Sequence, residues 1–206
     1  MIKELYEFIS QGGVLMIPII LGSVISLAVF LERLFFLREK NIASEKLYND
    51  LYDLIKENKL SEAKTLVKHE DKQSFSILVS ILLDNWHKDK QSLRDIADEK
   101  GKREVKKMEN YISVISVIAV ISPLMGLLGT VSGMITVFRQ FIYSQQDPTF
   151  MSDGISKALI TTAAGLIVAI PALLGSKYLH SRIDNLVLEL EDKLFNIIEL
   201  KDESKG

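Results

Sequence analysis

The chain has 206 residues, 48% of them hydrophobic and 25% charged, with a formal net charge of −2. That balance argues against nucleic acid as a partner, and the absence of cysteine excludes disulfides and thiolate metal sites. The averages conceal a segregation: residues 11–31, 110–138 and 158–176 carry no charge, each run being close to the roughly 20 apolar residues that cross a bilayer. Residues 38–107 are the reverse, dense in Lys, Arg, Asp and Glu. This pattern predicts an all-α integral membrane protein. Its three transmembrane helices are called spans below, and spans 2 and 3 are expected to extend into a cytoplasmic helical bundle.

In chain order, residues 1–12 place Leu5, Phe8 and Ile9 on one helical side, as a short amphipathic helix on the membrane surface does; a frayed terminus is the alternative. Gly12 and Gly13 then break into span 1, residues 13–37. This run carries Pro18 inside it and ends in "LERLFFLREK" without a small-residue cleavage pattern, so it is expected to be retained and not cleaved as a signal. Glu32 and Arg33 lie at its end, where charges can snorkel.

Residues 38–110 read as a helical region. Leu47, Leu51, Leu54 and Ile55 recur at helical period behind a candidate cap at Ser44. "SEAKTLVKHE" reads as a second short helix. "SFSILVSILLDNW" is apolar but too short to span, which makes it a buried packing helix. "SLRDIADEKGKREVKKMENY" leads towards span 2, residues 111–140. A short loop, residues 141–153, follows with turn signals at Asp147-Pro148 and Asp153-Gly154. Span 3 covers 154–177, and residues 178–206 form a stalk and tail. Along the stalk, Leu179, Ile183, Leu186, Leu190, Leu194 and Ile197 make an amphipathic stripe.

Orientation follows from the cations near the span ends. Arg33, Arg38, Lys40, Lys100, Lys102, Arg103, Lys106, Lys107, Lys177 and Arg182 lie on one side; only Lys3, Arg139 and Lys157 lie on the other. The positive-inside bias therefore predicts a multi-pass protein surrounded by membrane lipid, with its N-terminus outside and its C-terminus and the 38–110 region on the inner, cytoplasmic side.

No enzyme chemistry is apparent. His69, His87 and His180 are scattered, and no phosphate loop or nucleophile elbow is present. No cofactor or metal is expected.

Spans 2 and 3 trade bulk for small residues. Gly126, Gly129 and Gly133 share one face of span 2; Ala158, Thr162, Gly165, Ala169, Ala172 and Ser176 share one face of span 3. In lipid such faces let backbones approach closely. Two of them in a three-span chain favour packing between subunits over packing within one. Pro123 and Pro171 each remove a backbone hydrogen bond and can bend their helices. Thr130, Thr161 and Thr162 either bond back to carbonyls one turn earlier or line a polar path. Thr161 lies on the side of span 3 that carries Lys157. Spans 2 and 3 contain no Asp, Glu or His, so a proton or sodium path here would need a carboxylate from another chain.

The stretches "FISQGGVLMIPIILGSVISLAVFLERL", "SPLMGLLGTVSGMITVF" and "GISKALITTAAGLIVAIPALL" together resemble the ExbB/TolQ/MotA family of inner-membrane motor subunits, its ExbB branch above all. The resemblance covers under half the chain; the charged region matches only in character. It implies a homopentamer whose spans 2 and 3 line a central pore. That pore would hold two copies of an ExbD-like single-helix partner bearing the proton-binding Asp. Proton motive force would be passed through a TonB-like protein to outer-membrane transport. By position, Thr130 and Thr162 match the family's pore threonines. Lys157 departs from the pattern, since ExbB and TolQ proteins have Glu there; MotA-like relatives manage without it. It would snorkel at the outer mouth, pair with the partner's carboxylate, or set an electrostatic barrier. The alternatives are a TolQ-like envelope subunit, a MotA-like stator, or a membrane scaffold without ion traffic.

Overall fold

The computed structural model describes residues 13–38, 42, 44–69, 73–144 and 148–203. The surface helix expected over 1–12, the turn residue Asp147 and the last three residues lie outside the described residues. Seven helices are formed among the described residues and no strand: α1 (Met16–Phe36), α2 (Glu45–Lys56), α3 (Leu60–His69), α4 (Ser74–Asp84), α5 (Lys90–Glu109), α6 (Ile112–Ser144) and α7 (Pro148–Glu203). The chain divides into a membrane unit, residues 1–32 and 111–178, and a charged unit, residues 33–110 and 179–206.

Three helices are long and apolar enough to cross a membrane: Met16–Phe36, Ile112–Arg139 and the apolar part of Gly154–Lys201, with mean hydropathies of 2.1, 2.3 and 2.1. At most a third of their most apolar windows is buried by the chain itself. Leu27, Leu124, Leu128, Ile167 and Leu174 all face outwards. In water so much exposed apolar area would drive aggregation; in a bilayer it is the ordinary surface of a membrane protein.

The charged unit is built around α4, whose Phe75, Leu78, Val79, Leu82 and Leu83 are buried. The fully buried hydroxyl of Ser76 is satisfied, its Oγ donating to the Val67 carbonyl at 2.7 Å. The stripe Leu179, Ile183, Leu186, Leu190, Leu194 and Ile197 is buried along α7. Ion pairs hold the same stretch: Lys193 to Glu45 at 2.9 Å and to Glu189, Lys90 to Glu199 at 2.9 Å. Lys201 donates to the Trp86 carbonyl at 2.6 Å.

Local structure departs from the sequence expectations in three places. Ser44 stands at the N-cap of α2 but makes no side-chain cap; its N–H donates instead to Gln73 Oε1 at 3.1 Å. Arg33 does not snorkel. It is 6% exposed, donates to the Lys107 carbonyl at 3.3 Å and stacks over Phe36, 4.6 Å from the ring centre. Finally, α6 runs to Ser144 and α7 starts at Pro148, so most of the loop expected over 141–153 is helical. Pro148 suits a first helical position because its fixed φ is already that of a helix. Gly154 is no turn residue: a Cβ there would collide with Val137 Cγ2, so this glycine serves close helix approach.

Candidate functional site

The small faces of α6 and α7 meet each other. A Cβ built on Gly126 would stand 2.8 Å from the Cα of Thr162, and one on Gly129 would stand 2.6 Å from Thr161 Cγ2. One on Gly133 would stand 2.9 Å from Ala158 Cβ, and one on Gly165 would stand 2.5 Å from the Ser122 carbonyl oxygen. Ala169 and Ala172 are buried at 5% exposure each. The seam closes near its far end with Ser116 Oγ and Ser176 Oγ at 2.6 Å. The sequence favoured packing of these faces between subunits; within the single chain they pack on one another. The two helices run antiparallel across a short connection, and the glycines of one fall level with the threonines and alanines of the other.

Helix α1 covers one edge of the seam. Met16 and Ile19 cluster with Ala164, Met125 and Val168, Gly22 lies against Ile118, and Gly175 against the ring of Phe30. Helical geometry, about 100° per residue, then places the remaining side chains. Thr162 is two residues from Ala164, about 200° round α7, and Thr130 is five from Met125, about 140° round α6. Both threonines therefore sit on the seam edge away from α1, flanked by exposed Leu127 and Leu166.

The three threonines use their protons differently. Thr130, 8% exposed, donates to the Leu127 carbonyl at 2.8 Å. Thr161, 2% exposed, donates to the Lys157 carbonyl at 3.3 Å, with its methyl turned to Gly129. Thr162 bonds across the seam, its Oγ1 donating to the Gly126 carbonyl at 2.9 Å. A hydroxyl has one donor and two lone pairs. Towards the open edge, Thr130 and Thr162 therefore offer acceptors only.

Lys157 is exposed. It precedes Ala164 by two turns and so shares the α1-facing edge, about 140° from Thr162. The structure does not bring it together with the threonine pair. Pro123 and Pro171 lie inside α6 and α7, which continue through both. Residues that sequence reasoning missed are Ser116 and Ser122. Ser122 is a polar interruption on the glycine-bearing side of span 2, a signal that could have pointed to it; Ser116 lies about 80° or more round the helix from those glycines and carried no such signal. Among the described residues no group of three or more His, Asp or Glu could hold a metal.

Residues 60–192 match the MotA/TolQ/ExbB proton channel family, a range holding the glycine faces, all three threonines and Lys157. The chain is 32% identical over 183 residues to a biopolymer transport protein described as ExbB-like 1 from Synechocystis sp., covering 87% of this chain and 71% of that protein. It is 36% identical over 67 residues to the biopolymer transport protein exbB1 of Vibrio cholerae, covering 32% of this chain and 29% of that relative. With its family range over more than half its length, three spans and a small-residue seam, the chain belongs to the MotA/TolQ/ExbB proton channel family.

Proposed function

We propose that this protein is an ExbB-like subunit of an ion-driven motor in the inner membrane. In this reading several copies, five by the family resemblance, turn the Thr130–Thr162 edge towards a common path. One observation carries it: two threonines share the seam edge that α1 leaves open, in a membrane unit whose spans 2 and 3 have no carboxylate. Their acceptor-only presentation suits hydronium, water, a metal cation or a protonated carboxyl group, and disfavours an anion. A proton carrier is still needed, and a single-helix partner of ExbD type, in two copies, supplies its Asp. Proton motive force then drives movement that a TonB-like protein passes to outer-membrane transport. A TolQ-like or MotA-like output uses the same path with a different receiver.

In this reading Lys157 lies off the path. The placement supports a snorkelling role near the outer mouth over a pairing with the partner's carboxylate.

The test is ion flux in proteoliposomes of the chain with its single-helix partner, beside native mass spectrometry of the same sample. Thr130→Val and Thr162→Val are expected to lower flux at least tenfold while the assembly keeps its mass; Lys157→Ala is expected to leave flux within about twofold. Full flux in both threonine variants would leave a scaffold without ion traffic as the better reading.

A further inference from the structure

Three described residues have positive φ: Gly13 at 69°, Asn58 at 60° and Tyr111 at 65°. Glycine adopts this region freely. Asn58 follows the C-cap of α2, where asparagine is a common second choice; its N–H and that of Lys59 donate to the carbonyls of Ile55 and Leu54. Tyr111 has neither excuse. Asn110 at φ −51° and ψ 140°, followed by positive φ, is the pattern of a type II turn, whose third residue is normally Gly or Asn. The chain places its asparagine one position too early and a bulky aromatic where the backbone is strained. Strain of this kind persists only where the surrounding structure imposes it, and it clusters at functional positions.

What the ring does follows from where it stands. Glu109 is the last charged residue before span 2, and Ile112 and Ile115 are the first buried ones of α6. Tyr111 lies between them, 61% exposed. The other exposed tyrosine among the described residues, Tyr178 at 54%, stands at the corresponding end of span 3. Tyrosine has an apolar body and a polar tip and concentrates where hydrocarbon meets headgroups.

We infer that Tyr111 is a lipid-interface anchor. Its ring lies in the headgroup layer and sets the depth at which span 2 begins, and the strained turn at Asn110–Tyr111 is retained to present it there. This rests on the membrane spans and not on ion traffic, so it stands or falls apart from the motor reading.

The test uses the full chain in phosphatidylcholine–phosphatidylglycerol vesicles. Trp86 is the only tryptophan, so Trp86→Phe with Tyr111→Trp makes position 111 the sole reporter. Bromines near the carbonyl end of the acyl chains are expected to quench it roughly threefold more than bromines near the methyl end or aqueous acrylamide, as an interfacial ring requires. Dominant quenching by acrylamide, or by the deep bromines, overturns the inference. Depth control is read separately in the cysteine-free chain with Ser113→Cys, an exposed position of α6. Tyr111→Gly, which relieves the strained φ, is expected to change the maleimide labelling rate severalfold, and Tyr111→Trp to leave it unchanged. An unchanged rate in Tyr111→Gly overturns the depth-setting role. Tyr111→Asn, which also tolerates positive φ, replaces the glycine variant if that one does not fold.

Discussion

A methyl group at position 126 would meet the Cα of Thr162 at 2.8 Å, and one at 165 would meet the Ser122 carbonyl at 2.5 Å. Neither neighbour is a flexible side-chain end, so the helices themselves would have to part. Gly126→Ala and Gly165→Ala are therefore expected to destabilise the membrane unit by about 1–3 kcal/mol, the range for overpacking, read as a lower unfolding temperature in detergent. Gly101 is the contrast. It lies inside α5, and a Cβ at this position would have nothing within 4 Å, so Gly101→Ala is expected to stabilise by about 0.5–1 kcal/mol through helix propensity alone. Sequence spacing could place Gly126 and Gly165 on faces. It could not say that one faces a Cα and the other a carbonyl, because that depends on the partner helix and its register.

At the scale of elements, the seam combines glycine contacts with two polar ties, Thr162 to the Gly126 carbonyl and Ser116 to Ser176. Interhelical hydrogen bonds in membranes contribute modestly, so a double-mutant cycle with Ser116→Ala and Ser176→Ala is expected to give a coupling of about 0.6–1.7 kcal/mol. A coupling near zero would mean that the serine pair does not help to set the register, leaving it to the glycines and the Thr162 tie. In the charged unit, Asp89 caps α5 by accepting from the Ser92 hydroxyl and the Ser92 N–H. These bonds, the hydroxyl first, hold its carboxyl below its ordinary range. A carboxylate lowered on folding stabilises the folded state above its unfolded pKa, and that contribution is lost as pH falls through the lowered folded value. Protection of the amides in the first turn of α5, with exchange taken relative to the intrinsic rate at each pH, is therefore expected to fall as the solution is acidified through that range. Asp89→Ala should remove this dependence.

For the whole molecule, charge segregation predicts which side of the membrane each region occupies, and the absence of cysteine makes that simple to test. Ser61→Cys, on exposed α3, is expected to react with an impermeant maleimide only after spheroplasts are opened; Val14→Cys, at the exposed start of span 1, is expected to react without opening. The reverse pattern would invert the topology proposed for the motor.

Much of the molecule was legible in the residues alone. Three charge-free runs, a charged region between two of them, a buried stripe from Leu179 to Ile197 and the small faces of spans 2 and 3 are all local patterns. They depend on one helix and its solvent, which composition and period determine. Only the tertiary structure decided which neighbour each face takes. It paired the glycines with threonines of the same chain, moved Lys157 to the α1 edge, drew Arg33 inwards to a carbonyl and made Gly154 a contact residue instead of a turn. Period places a side chain at an angle about its own helix axis; the neighbour found at that angle depends on long-range register and on sterics that no single stretch of sequence contains.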